Sequence, residues 1–146
     1  MSEQDEPFGA ISEETWQRLE QAAIAVRERA YVPYSGFPVG AALLTPEGEI
    51  VVGCNVENAT IGATVCAERN AIGAAVASDK REFVALCVVT DVEEPSAPCG
   101  ICRQVLAEFC DDLPILMINP HGQRRFTTLD TLLPMRFSGR DFLEKE

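Results

Sequence analysis

Three cysteines and one glutamate stand at spacings that suit metal chemistry. Cys66 is followed two positions later by Glu68, and a second group reads Pro98-Cys99-Gly100-Ile101-Cys102. Both groups stand where helices are predicted to begin, and the positive end of a helix favours the thiolate, which is the form that binds metal. Three thiolates suit a tetrahedral zinc ion, and three protein ligands leave the fourth position open, as in catalytic zinc sites.

Glu68 is predicted to touch whatever occupies that fourth position. Zinc lowers the pKa of a bound water to about 7, and a carboxylate beside that water can take its proton and pass it to a leaving group. The order C-x-E followed by P-C-x-x-C is one form of the zinc deaminase pattern, which includes a three-cysteine variant. Without Cys66 beside it, Glu68 would be interpreted as an ordinary acid of a first helical turn.

Two arginines lie next to the predicted ligands in sequence. Zinc with three thiolates has a net charge of −1, which weakens its pull on water. Hydrogen bonds from Arg69 and Arg103 to the sulfurs would withdraw part of that charge. The alternative is that each arginine forms a surface salt bridge.

The elements around these residues predict an α/β fold. Apolar residues recur at spacings of three and four from Trp16 to Ala30, which predicts a helix that begins after Ser12. The further predicted elements are strands over Val39–Thr45 and Ile50–Val56, a helix over Cys66–Ala77, a strand over Val84–Thr90, a helix over Cys99–Phe109, a strand over Ile115–Asn119, a strand near Arg125–Thr127 and a short helix over Thr128–Leu133. We therefore expect a three-layer α/β/α sandwich, in which a mixed five-stranded sheet carries helices on both faces.

Length and charge limit the classes of partner. The 146 residues, 47% of them hydrophobic, predict a single domain over residues 12–146 after an acidic flexible tail over residues 1–11. A net charge of −11 repels phosphate backbones and anionic lipid, so neither nucleic acid nor a membrane is an expected partner. No apolar run approaches the roughly 20 residues of a membrane span. The acidic N-terminus is unlike a targeting peptide, so we expect a cytoplasmic protein with reduced thiols.

Four blocks occur in order along the chain and together point to a known family. They are Pro33-Tyr34-Ser35-Gly36-Phe37-Pro38-Val39-Gly40-Ala41-Ala42, Gly53-Cys54-Asn55-Val56-Glu57-Asn58-Ala59, Cys66-Ala67-Glu68-Arg69 and Pro98-Cys99-Gly100-Ile101-Cys102-Arg103-Gln104-Val105-Leu106. Over roughly residues 15–142 the chain resembles the small homotetrameric cytidine deaminases of the three-cysteine zinc type. The resemblance implies their fold and a symmetric tetramer.

The resemblance also assigns a role to each matched position. Cys66, Cys99 and Cys102 would hold one zinc ion per subunit, and Glu68 would shuttle protons. Phe37 would pack on the pyrimidine, Asn55 and Glu57 would bind ribose hydroxyls, the Ala67 backbone would contact the base edge, and Phe137 would reach a neighbouring subunit's site. Two-residue spacing on a strand also places Asn55 and Glu57 on one face.

The implied function is hydrolytic deamination of cytidine or deoxycytidine to the uracil nucleoside in pyrimidine salvage, with release of ammonia. One departure favours an alternative, because Ile61 stands where the family usually carries an aromatic residue. The loss of that ring would suit a modified cytosine nucleoside, either N4-substituted or blasticidin-like. A non-catalytic zinc-stabilised oligomer is a further alternative, as is a structural zinc site that takes Cys54 or His121 as its fourth ligand.

Overall fold

The computed structural model describes residues 10–143, and the predicted elements occur in the predicted order. The helices are α1 (Glu13–Arg27), α2 (Ala67–Ala77), α3 (Gly100–Phe109), α4 (Leu129–Leu132) and α5 (Arg140–Leu143), with a turn of 3-10 helix at Ile61–Ala63. The strands are β1 (Val39–Leu44), β2 (Ile50–Cys54), β3 (Ala85–Thr90), β4 (Pro114–Ile118) and β5 (Arg124–Thr128). Most of the predicted tail lies outside the described residues, so the tail and the boundary at residue 12 stay predictions. Among residues 10–143 no helix has the length and apolarity to cross a bilayer.

Helix α1 begins and packs as its sequence pattern predicts. The Ser12 hydroxyl accepts a hydrogen bond from the Thr15 amide at 3.1 Å, which satisfies one of the free amides of the first turn. One stripe of the helix is buried, namely Trp16, Leu19, Ala23 and Val26. The helix therefore lies flat on the sheet with its charged residues outward.

The five strands form one mixed sheet in the order β2-β1-β3-β4-β5. Among the paired strands of residues 10–143, β3 and β4 are the one parallel pair, and α3 is the crossover between them. The other three pairs are antiparallel. Helix α3 follows β3 in the chain, so the loop between them starts at the carboxyl end of β3. Val39 pairs with Thr90, so this end of β3 lies beside the start of β1.

The central strands are buried on both faces and separate two hydrophobic cores. Ala41, Leu43, Leu86 and Val88 pack beneath α2 and α3. The alternate positions of the same strands, Ala42, Leu44, Cys87 and Val89, pack beneath α1. Helices thus cover both faces of the sheet, which confirms the predicted three-layer fold.

Two glycines allow helices to approach the sheet closely. A Cβ atom on Gly53 of β2 would lie 2.3 Å from the Ala71 amide nitrogen and 2.5 Å from the Ala67 carbonyl oxygen, both in α2. A Cβ atom on Gly40 of β1 would lie 2.1 Å from the Ala23 carbonyl oxygen in α1. Each contact is with rigid backbone, so no larger side chain fits without moving a helix.

Candidate metal centre and nucleoside pocket

The predicted ligands meet where two helices begin. Cys66 is the N-cap residue of α2, and Cys99 is the N-cap residue of α3, both with extended backbone. Cys102 lies in the first turn of α3 and is buried. The Cys66 and Cys99 sulfurs are 3.8 Å apart, the Cys99 and Cys102 sulfurs are 3.3 Å apart, and all three lie within 4.8 Å of one another.

These three sulfurs fit a zinc ion. Zn–S bonds of about 2.3 Å in a tetrahedron place two sulfurs about 3.8 Å apart, and the observed separations are close to that value. Among the described residues, the metal-ligand cluster contains only Cys66, Cys99 and Cys102. Neither Cys54 nor His121 belongs to the cluster. For residues 10–143, the prediction of a structural zinc site with a fourth protein ligand is therefore wrong. The His121 Nε2 instead lies 3.1 Å from an Asp91 carboxylate oxygen.

Two thiols of the cluster differ in acidity. Hydrogen bonding with the Cys102 thiol, aided by Arg69, lowers the pKa of Cys66 to about 5. The same hydrogen bond, together with burial, raises the pKa of Cys102. Cys66 is therefore a thiolate at neutral pH while Cys102 keeps its proton, and zinc uptake must release that proton.

Glu68 is a buried acid beside this cluster. It lies in the first turn of α2 and its residue surface is only 4% exposed. Burial, with a smaller contribution from the charge on Cys66, raises the pKa of Glu68 to about 7. A carboxyl group poised near neutrality can both accept and donate a proton, as a general acid–base catalyst must.

The two arginines make different contacts. The Arg69 guanidinium lies 3.7 Å from the Cys66 sulfur and donates to the Thr64 carbonyl at 3.2 Å. Arg103 donates to the carbonyls of Pro98 and Leu132, at 2.8 Å each. Among the described residues, the hydrogen bonds of Arg103 therefore go to backbone carbonyls and not to a ligand sulfur. Arg103 supports the turn before Cys99 instead, so its predicted bond to a sulfur is not found.

The predicted ribose-binding residues lie just past the end of a strand, because β2 ends at Cys54. Asn55 continues the ladder through its side chain, since its Oδ1 accepts from the Val39 amide at 2.8 Å while its Nδ2 donates to the Phe37 carbonyl at 2.9 Å. One oxygen of Glu57 accepts from the amides of Tyr34 and Ser35, at 3.0 Å each. Val56 between them forms a bridge with Tyr31, and the side chains of Asn55 and Glu57 both bind the segment over residues 34–39.

The remaining predicted contacts divide into two groups. Phe37 is partly exposed on the segment that Asn55 holds, and Ala67 is buried at the start of α2. Phe137 lies apart, 67% exposed, with its ring centroid 5.6 Å from that of Phe142. Its carbonyl accepts a hydrogen bond from the Gln104 side chain at 3.0 Å, which ties this segment to α3.

Sequence reasoning missed three polar residues that organise the site. Asn70 donates to the Cys54 carbonyl at 2.8 Å and joins α2 to the end of β2. Gln104 holds the segment of Phe137, and Ser35 contacts both Glu57 and the Phe37 amide. Each lies in or beside a block that carried the resemblance, but nothing in the residue type or spacing indicates its partner.

The three sulfurs and the buried carboxylate at a helix start define the class of zinc-dependent deaminases with C-x-E and P-C-x-x-C motifs. A family model described as the cytidine and deoxycytidylate deaminase zinc-binding region matches residues 13–117. The chain belongs to that family, which confirms the predicted family and, together with the cysteine cluster, the predicted zinc cofactor.

Individual relatives agree with this assignment. A cytidine deaminase of Sporosarcina psychrophila is 53% identical over 116 residues, which cover 79% of this chain and 85% of the relative. One of Halalkalibacterium halodurans is 47% identical over 126 residues, which cover 86% and 96%. The crystal structure of a cytidine deaminase from Burkholderia pseudomallei superposes with a TM-score of 0.80 at 47% identity, covering 83% of this chain and 98% of that one.

Proposed function

We propose that the protein is a zinc-dependent cytidine deaminase that converts cytidine and deoxycytidine to uridine and deoxyuridine with release of ammonia. The observation that carries this proposal is the buried Glu68 beside three sulfurs spaced for zinc. Cys66, Cys99 and Cys102 would hold the ion. Zinc, when bound, supplies a Lewis acid that makes water a nucleophile at neutral pH.

Glu68 carries the protons in this reaction. Its carboxylate takes one proton from the water whose oxygen attacks C4 of the cytosine, and it delivers that proton to N3. Glu68 then passes the remaining proton of the hydroxyl group on C4 to the amino nitrogen, the C4–N bond breaks, and ammonia leaves a C4 carbonyl. A pKa near 7 lets both protonation states of Glu68 be populated during the cycle.

The pocket has spare hydrogen-bonding capacity for a nucleoside. Asn55 uses its oxygen and one amide proton on backbone, which leaves a second amide proton for a ribose hydroxyl. Glu57 accepts three hydrogen bonds of about four that a carboxylate can take, so it can accept one more from ribose. Phe37 would pack on the pyrimidine face, and the backbone of Ala67 would meet the base edge.

Charge favours a free nucleoside over a polynucleotide. The net charge of −11 opposes the basic groove that a single strand needs. We place the enzyme in the cytoplasm and in pyrimidine salvage, where free nucleosides are the substrates.

We also propose a homotetramer whose sites are completed by neighbours. The C-terminal segment exposes four large apolar side chains, at Met135, Phe137, Phe142 and Leu143. A group of exposed apolar residues is typical of a surface that another protein chain covers. Phe137 would reach the adjacent subunit's pocket. Light scattering should give about 64 kDa, four times the 15.9 kDa chain. A fully active species of one chain's mass would contradict this.

A modified cytosine nucleoside is the second candidate substrate. Ile61 is 71% exposed on the 3-10 turn, where it offers no ring to a substrate and leaves room for a larger base. Comparing kcat/KM for cytidine and N4-methylcytidine decides between the two. A non-catalytic role is disfavoured, because such a protein would gain nothing from a buried carboxylate beside the cluster.

The test is ammonia release from cytidine by zinc-loaded protein, with zinc content measured for every variant. Glu68→Gln should keep zinc and lose about 100-fold to 10,000-fold in kcat, the usual contribution of a general acid–base group. Glu47→Gln, at an exposed turn, is the matched control and should behave as wild type. Zinc-loaded wild-type protein that releases no ammonia from any cytosine nucleoside would overturn the proposal.

A further inference from the structure

Ser35 connects two residues that the proposed function assigns to the substrate. It lies in the exposed turn before β1, next to Gly36, whose φ of +66° suits the tight bend. Its hydroxyl accepts a hydrogen bond from the Phe37 amide at 3.0 Å and contacts the second oxygen of Glu57 closely. Its own amide donates to the first oxygen of Glu57 at 3.0 Å.

The direction of these hydrogen bonds is fixed by the groups involved. A backbone amide can only donate, so the Ser35 oxygen must accept from Phe37. The single proton of the hydroxyl is then free for Glu57, which as a carboxylate can only accept. Ser35 thus holds Glu57 in its ionised form at a set distance from the backbone of Phe37. In agreement, the Ser35 hydroxyl is the main cause that lowers the pKa of Glu57.

We infer that Ser35 is a positioning residue for nucleoside binding: through Glu57 it fixes the ribose acceptor relative to the ring of Phe37. The inference rests on the proposed function. Asn55 provides a contrast, because its side-chain amide bonds to the backbone of Val39 and Phe37, and the hydrogen bonds of the described residues include none between it and Ser35. The loss of Ser35 should therefore disturb the Glu57 contact and spare that of Asn55.

The experiment compares cytidine with 2′,3′-dideoxycytidine, which lacks the two ribose hydroxyls. The variants are Ser35→Ala, Ser35→Thr, Glu57→Ala and the double variant Ser35→Ala/Glu57→Ala. Ser78→Ala, at an exposed serine after α2, is the matched control. Thermal melts establish folding, and calorimetry with uridine measures binding without turnover.

Ser35→Ala should lower the preference for cytidine over the dideoxy analogue about tenfold, the size expected for one charge-assisted hydrogen bond. The change should appear in KM, with kcat within about twofold, because ribose binding is shared by ground and transition states. Ser35→Thr keeps a hydroxyl and should restore the preference to within about threefold of wild type. In the Glu57→Ala background, Ser35→Ala should add nothing to the loss.

Two kinds of outcome would overturn the inference. One is an unchanged preference in Ser35→Ala, or an equal loss on both substrates. The other is a loss of preference in the double variant equal to the product of the losses in Ser35→Ala and Glu57→Ala, because Ser35 would then act independently of Glu57. The proposed function fails separately, if wild-type protein binds uridine and yet deaminates neither substrate. Wild-type protein that binds no nucleoside would overturn both.

Discussion

Gly53→Ala tests whether the contact between β2 and α2 sets the geometry of the metal centre. The added Cβ atom would lie 2.3 Å from the Ala71 nitrogen, whereas ordinary contact begins near 3.4 Å. Neither backbone atom that it meets can rotate away, so α2 must shift by about 1 Å, away from β2. Cys66 and Glu68 belong to the start of that helix, so both would move relative to Cys99 and Cys102 on α3.

The magnitudes follow from that shift. Overpacking of this kind costs about 1–3 kcal/mol, and rigid backbone on both sides places Gly53→Ala at the upper end of the range. A 1 Å displacement of a catalytic group can lower the rate about 100-fold. We therefore expect a loss of about 3 kcal/mol in unfolding free energy, together with weaker zinc binding and a large loss in kcat.

Two other glycines supply the controls. Gly73 lies in the same helix with no atom within 4 Å of its Cβ position, so Gly73→Ala should stabilise by about 0.5–1 kcal/mol. A Cβ on Gly40 meets α1, which carries no predicted ligand. Gly40→Ala should therefore cost stability to a similar extent while its zinc affinity stays within about twofold of wild type.

The assays use what the chain provides. The only tryptophan, Trp16, is 2% exposed and reports urea unfolding by fluorescence, while a chromophoric chelator in competition gives zinc affinity. The reasoning is refuted if Gly53→Ala keeps wild-type zinc affinity while losing stability, or if Gly40→Ala weakens zinc binding as much as Gly53→Ala.

Two further expectations concern single side chains. In chelator-treated protein at pH 6, iodoacetamide should modify Cys66 before Cys87, because the pKa of Cys66 is lowered to about 5 while burial raises that of Cys87; peptide mass mapping checks this, and equal rates would contradict it. Among the described residues the Thr90 hydroxyl is buried with no hydrogen-bond partner, so Thr90→Val should stabilise by about 1 kcal/mol in urea unfolding. Thr45→Val should instead destabilise by about 1 kcal/mol, because the Thr45 oxygen accepts from the Glu49 amide at 3.1 Å; the same sign for both threonine variants would refute the assignment.

The metal centre and the sheet could be predicted because their signals are local. Two helix starts, each marked by cysteine at its N-cap, carry the ligands, and the sequence shows both. The continuous apolar run of β3 likewise indicates a strand covered on both faces, as the structure shows. Such patterns depend on neighbours within a few positions, so they survive in a sequence without its fold.

The polar contacts between distant segments could not be predicted. The Asn119 amide joins the carbonyls of Val92 and Glu93 to the β4–β5 turn, and Ser35 meets Glu57 across 22 positions. Arg103 likewise donates to a carbonyl 29 positions away. Which acceptor such a donor finds depends on where the fold brings the chain, and residue type alone leaves many choices open.

The separation of the two cores by the sheet has a consequence for how this chain can change over time. Residues that anchor α1 and residues that anchor the helices of the metal centre alternate along the same strands and face opposite ways. Substitutions beneath α1 can therefore raise or lower the melting temperature while the sulfurs keep their spacing. During adaptation to heat or cold, the side chains in the core beneath α1 can change. The core beneath α2 and α3, which supports the metal centre, can stay the same.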